Sequence, residues 1–199
     1  MIRFAALSKV FLATSILAGA SLPLAAGESR TADAPQWRVD QEASRIVFVA
    51  SQSGAPVEGR FANFTADIRF DPAAPESGGA EVIVEIASVE SGAADRDQTI
   101  VSEGLLNAAE FPQGRFVAEN FRHLGGDRYE APGNLTLRGV TLPAVLPFTL
   151  TLSEGKAHAV GELTLQRLDY GIGQGQWKDP SAVGPEVKIR IDVRATRAE

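Results

Sequence analysis

The sequence predicts an all-β fold, an antiparallel barrel or sandwich of about eight or nine strands. Three observations predict it. Apolar and polar residues alternate with period two along most of the chain beyond Trp37. The alternating runs are short and are divided by turn signals such as Asp71-Pro72, Ser77-Gly78-Gly79, Gly125-Gly126-Asp127 and Ser153-Glu154-Gly155. Only one stretch carries helical spacing, and no internal repeat is present.

Ahead of the strands, Arg3 and Lys9 precede an apolar run from Val10 to Leu22 that is too short to anchor a chain in a bilayer. Ala25 and Ala26 follow, and Gly27, Glu28 and Ser29 then turn the chain polar. Basic, apolar and small-residue zones in that order read as a secretory signal cleaved after Ala26, against the weaker alternative of a buried N-terminal helix. No Cys follows the run, so no lipoprotein anchor is expected, and no later stretch approaches the length of a membrane span. Residues 27–36 are small, polar and charged and read as a flexible leader, so the domain is expected over 37–199.

The C-terminal strand shows the alternation best, with Val187, Ile189, Ile191, Val193 and Ala195 interleaved with Lys188, Arg190, Asp192 and Arg194. That pattern gives one dry face and one wet face. The same phase appears at Ile46, Phe48 and Ala50, at Phe64, Ala66, Ile68 and Phe70, and at Val82, Val84 and Ile86. It returns at Leu135 and Leu137, at Leu146, Phe148, Leu150 and Leu152, and at Leu163 and Leu165. Two further segments, Val57 to Phe61 and Phe116 to Phe121, are expected as strands. A short helix is expected from Asp97 to Asn107, lying over one barrel end, with Asp97 as N-cap and Pro112 blocking continuation.

Composition narrows the function. Loss of Arg3 and Lys9 with the signal, residues 1–26, moves the formal charge from −6 to −8, and an acidic surface repels the phosphates of nucleic acids and of anionic membranes. With no Cys there is no disulfide and no thiol chemistry, and the length suits one domain. Two histidines, His123 and His158, lie in different segments and read as exposed strand or turn residues, too few and too scattered for a transition-metal site. Asp95 and Asp97 flank Arg96 and read as a helix cap rather than as paired catalytic carboxylates. Gly171, Gly173 and Gly175 lack the strand and helix of a nucleotide loop and read as bends or close approaches. No nucleophile and base pair can be named, so no enzyme is expected and no cofactor or metal is implied.

A barrel of about eight strands can be filled by side chains or can hold one small ligand, and the alternation builds both equally well. Whatever enters must be apolar, because the inward sets carry almost no polar atoms. Arg60, Arg138 and Arg167 lie beside glycines or apolar strand residues, and they read as outward charges paired with Glu or Asp. The alternative is that one of them meets a headgroup at the barrel mouth. A homodimer is compatible with the sequence, which does not give the oligomeric state.

The order Trp37-Arg38-Val39-Asp40, Ser44-Arg45-Ile46-Val47-Phe48, Val57-Glu58-Gly59-Arg60-Phe61 and Asp95-Arg96-Asp97 resembles the YceI-like family. The resemblance continues through Phe111-Pro112 and Phe116, the run from Gly133 to Thr141, the run from Arg167 to Gly173, Trp177, and Val183-Gly184-Pro185-Glu186-Val187. It covers nearly the whole mature chain. It implies a lipocalin-like antiparallel β-barrel, periplasmic in Gram-negative bacteria, that holds a polyisoprenoid chain such as a polyprenol or a quinone tail. The candidate ligand contacts are then Phe48, Phe64, Ile68, Val84, Leu137, Phe148, Leu150 and Trp177. A structural or stress-protective barrel with a collapsed core and a protein partner is the alternative.

Overall fold

The computed structural model describes residues 34–198. Twelve strands form there: β1 (Gln36–Val39), β2 (Arg45–Gln52), β3 (Ala55–Phe61), β4 (Phe64–Arg69), β5 (Gly79–Glu85) and β6 (Val89–Glu90), then β7 (Gln113–Ala118), β8 (Arg122–Gly125), β9 (Arg128–Leu137), β10 (Val140–Ser153), β11 (Lys156–Gln166) and β12 (Glu186–Arg197). Between β6 and β7 lies one helix, α1 (Ala94–Val101). The signal and its cleavage after Ala26 lie outside the described residues.

Eight strands close a ring of antiparallel pairs in the order β1, β4, β5, β7, β9, β10, β11, β12 and back to β1. Closure depends on the length of β12. Its C-terminal end pairs with β1 through Trp37 and Arg197, while its N-terminal half pairs with β2 through Phe48 and Ile189. Two strands therefore share one flank of β12, and the ladder must break between them. Ser44 fills the break: its hydroxyl accepts from the Arg194 N–H at 2.9 Å and donates to the Arg194 carbonyl at 3.3 Å. The backbone polar groups left without a ladder partner are thus satisfied by a side chain that is itself buried. Beyond β2, the wall continues through β3 and β6.

The pairing of β9 with β10 explains how three prolines fit within strands. Pro143 faces Asn134, Val145 faces Pro132, and Pro147 faces Glu130. All three prolines fall in one phase of the ladder, the phase whose N–H groups point away from the partner, so none removes a β9–β10 hydrogen bond. On its other side, β10 pairs with β11 only as far as Phe148 and Gly161. From there to the α1 end the two strands separate, and Leu142, Ala144 and Leu163 pack against the apolar cluster that contains the buried Tyr170.

Apolar side chains gather at the two ends of the barrel. Trp37, Phe70, Phe121 and Tyr129 close one end, with Phe70 edge-on to both Phe121 and Tyr129 and the Trp37 indole donating to the Phe70 carbonyl at 2.9 Å. At the α1 end, Leu105, Leu135, Leu165, Tyr170 and Ile172 form a second cluster. Phe116 touches both.

Four expectations need correction. The helix is Ala94–Val101 rather than Asp97 to Asn107, and Asp97 does not cap it: its carboxylate accepts from the backbone N–H and hydroxyl of Ser91. The chain after Val101 turns instead of extending the helix, and Asn107 takes a positive φ of 50°. The strand expected over Phe116 to Phe121 ends at Ala118, and Phe121 folds inward to plug the barrel. The leader reading overran the fold, since Ala34 is buried and the Pro35 carbonyl accepts from Phe70 N–H.

Candidate functional site

Between the two apolar clusters lies a cavity of about 650 Å³. That volume is within the range that binds small organic molecules. The cavity runs along β12 from Val187 to Ala195. At about 3.3 Å per residue and a tilt of about 40°, its axial depth is roughly 20 Å. The alternation builds this wall: Val187, Ile189, Ile191 and Val193 face inward yet stay only partly buried, because they border a space wider than a water molecule. A collapsed core would have buried them.

Chemistry differs between the two ends. At the β1 end the lining residues Trp37, Phe70, Phe121, Ala131 and Ala195 are all buried, so that end is closed. At the α1 end the lining includes Gln52, Ala93 and Asp95, which are exposed, together with Ser51, Arg96 and Thr99. The mouth therefore lies between the β2–β3 hairpin and the first turn of α1. Across from α1, the Gln52 bridge to Val183 ties the loop before β12 to the rim. Arg96 fixes α1 by donating to the Ser91 hydroxyl at 2.8 Å and to its carbonyl at 2.6 Å.

All eight residues singled out from the sequence lie on this cavity. Phe48, Phe64, Ile68, Val84, Leu137, Phe148 and Leu150 project from five strands of the wall, and Trp177 covers the α1 end from the loop before β12. Trp177 reaches that place because Gly104 has no side chain: a β-carbon there would stand 2.7 Å from the indole.

The three arginines behave differently. Arg60 is outward and pairs with Glu90 across β3 and β6, as expected. Arg138, at a positive φ of 48°, donates to the carbonyls of Glu103 and Leu105 and lies over the Phe111 ring, so it ties down a loop and pairs with no acid among the described residues. Arg167 reverses the expectation. It is 1% exposed, lines the cavity, and donates to three backbone carbonyls, of Gly184 at 2.9 Å, Ile172 at 2.8 Å and Val183 at 2.7 Å. Burial pushes its pKa below the ordinary guanidinium value, and burial followed by the nearby Asp169 pushes the Tyr170 phenol up. The guanidinium stays charged. Its position was legible: Leu163 and Leu165 face inward, and 167 continues their phase.

The remaining candidates stand apart from the cavity or serve the fold. His123 is exposed, with Nε2 2.9 Å from the Gly126 carbonyl and its ring stacked on Tyr129. His158 reaches Asp192 at 2.8 Å on the outer face of β11 and β12. Gly171, Gly173 and Gly175 all take positive φ, and Gly173 gives up space to the Arg167 guanidinium. Among the described residues no group of His, Asp and Glu is placed to hold a metal ion, and no helix is long and apolar enough to cross a membrane.

Comparison with known proteins matches the YceI-like domain profile to residues 37–195. A UPF0312 protein of Azotobacter vinelandii is 33% identical over 191 residues, which cover 91% of this chain and 95% of that one. The crystal structure of Burkholderia cenocepacia BcnA superposes with a TM-score of 0.77 at 31% identity, covering 79% of this chain and 99% of the other. A polyisoprenoid binding domain from Saccharophagus degradans, implicated in plant cell wall breakdown, shares the fold with a TM-score of 0.64 at 14% identity, over 82% of this chain and 99% of that domain.

Proposed function

This chain belongs to the YceI-like family, and from that premise we propose that it binds a long apolar isoprenoid-type lipid, a polyprenol or a quinone tail, in the barrel interior. The observation that carries the reading is the tunnel: roughly 20 Å deep, walled by hydrocarbon, closed at the β1 end and open at the α1 end. A tunnel of that shape suits a single chain better than a compact ring system. The fold shared with a polyisoprenoid binding domain supports the same ligand class. The chain acts as a binding protein, with no catalytic group touching the ligand.

Its place of work is the periplasm, where the protein carries or sequesters such lipids after cleavage behind Ala26. An acidic barrel suits a carrier that releases its cargo rather than staying on an anionic surface. Lipid extraction and mass spectrometry of protein purified from periplasm test both parts together. The expected result is a mature chain starting at Gly27 and a co-purifying isoprenoid. Uncleaved chain in the cytoplasm would overturn the export reading, and protein that neither carries nor takes up isoprenoid would overturn the ligand reading.

A further inference from the structure

Between β10 and β11 the ladder stops at Phe148 and Gly161, although both strands run on toward the α1 end. Of Pro143, Val145 and Pro147, whose N–H positions point toward β11, only Val145 has a donor, so the two strands cannot zip further. Leu146 and Leu163 flank the resulting seam, and both line the tunnel. The 3₁₀ turn Arg167–Tyr170 follows β11 and touches β10 there, and its buried Tyr170 shares an apolar cluster with Leu142, Ala144 and Leu163. At this seam the wall is held by hydrocarbon contact instead of a ladder.

The outer face beside the seam is uncharged. Thr141, Pro143, Val145, Pro147, Thr149 and Thr151 are the outward residues of β10, and all six are exposed. Opposite Pro143 and Val145 on β9 stand Asn134 and Pro132. Five large apolar side chains are exposed among the described residues, and three of them border the seam: Val145 on β10, Val160 beside the last rungs of the ladder, and Leu168 on the 3₁₀ turn. Acidic groups, Glu130, Glu162 and Asp169, stand at the edges. Exposed apolar side chains gathered on a neutral face mark a contact surface.

Three occupants compete for such a face. A strand from another protein finds one N–H where three residues should each present one, so extension of the sheet is barred. A second copy would meet a patch about 14 Å wide across three strands and roughly 26 Å long, about 350 Å², less than half of the about 800 Å² that each partner buries in a stable complex. A bilayer needs neither a hydrogen-bonding edge nor a large area for a brief contact, and the acidic edges restrict the choice to an uncharged one.

We propose that the outer face of β10, with Val160 and Leu168, docks transiently on an uncharged lipid surface, and that cargo is loaded and released there. The proposal rests on the lipid-binding reading above and adds where the barrel meets a membrane. The seam places tunnel hydrocarbon directly behind that face, so a tail passing between barrel and bilayer need not cross water.

The test loads delipidated mature protein with a fluorescent geranylgeraniol and follows transfer of the probe to phosphatidylcholine vesicles. The wild-type rate is expected to rise in proportion to vesicle concentration, and Val145→Glu with Val160→Glu to lower that slope about tenfold while affinity for the probe without vesicles stays within about twofold. Leu124→Glu, the same kind of change at an exposed site outside the face, keeps the wild-type slope. A rate independent of vesicle concentration, or equal losses in Leu124→Glu and the double variant, overturns docking at this face while leaving lipid binding intact; protein that never takes up the probe overturns both. A wild-type dimer in solution that the double variant splits assigns the face to a second copy and also overturns the proposal. Should the double variant lose the probe without vesicles, the absence of Cys from the chain allows a single fluorophore at Val145→Cys or at Leu124→Cys. A blue shift on phosphatidylcholine at residue 145 alone supports docking here, and a shift at 124 alone, at both or at neither overturns it.

Discussion

The ring of Phe48 lies across Gly59 on the neighbouring strand, so close that a β-carbon at residue 59 would stand 2.4 Å from Cζ and 2.6 Å from Cε1. The absent side chain sets where the ring goes. Phe61 packs against the same ring with centroids 5.7 Å apart, and the Glu90 carbonyl closes the space above Gly59 at 3.1 Å. A displaced Phe48 ring has only the cavity to enter.

Gly59→Ala is therefore expected to push Phe48 into the tunnel. Overpacking of this kind destabilises by about 1 to 3 kcal/mol. Denaturant unfolding reads that loss, and lipid titration reads a shorter longest chain. Unchanged stability together with an unchanged longest chain would mean that the ring has room elsewhere.

Phe148→Ala separates a tunnel from a sealed core. Phe148 packs against Phe121 and Tyr129, with centroids 5.9 and 5.7 Å away, while its inner surface faces the cavity. Truncation in a sealed core costs about 3 to 5 kcal/mol. Here the loss is expected nearer the transfer value of about 1.5 to 3 kcal/mol, accompanied by several-fold weaker lipid binding. A full core-sized loss with affinity untouched would contradict the cavity.

Replacing His123 and His158 together by Ala should leave lipid affinity within about threefold of wild type. Both rings sit outside the tunnel, and the half-exposed His158–Asp192 contact contributes at most about 1 kcal/mol to stability. A tenfold loss of affinity, about 1.4 kcal/mol, would give one of them a role in the site.

Most of the barrel wall was legible because period two is a local property. Each strand that placed Phe48, Ile68 or Ile191 inward carries its phase within a few residues. Strands of two to four residues, β1, β6 and β8, are too short to show a phase. The first half of β9 was hidden by Pro132 and Gly133, which read as breakers although the ladder tolerates both in that register. Arg167 was misplaced because its charge outweighed its phase; the carbonyls that hold it come from residues 172, 183 and 184, brought back by the glycine-rich loop. The mouth could not be read at all, since it forms where Gln52, Val183 and α1 meet across long separations in the chain.

Chain-length dependence tests the tunnel most directly. A depth of roughly 20 Å accommodates about sixteen chain carbons at a projected rise of about 1.25 Å per carbon, or about four isoprene units. Each unit buries five carbons for a gross gain of about 4 kcal/mol, from which ordering of the chain subtracts a large part. Titration of the delipidated protein with prenols of increasing length should show affinity rising by about tenfold or more per unit up to roughly four units, then levelling off as further carbons remain in water. Affinity that ignores chain length and follows the head alone would contradict a hydrocarbon tunnel as the seat of binding.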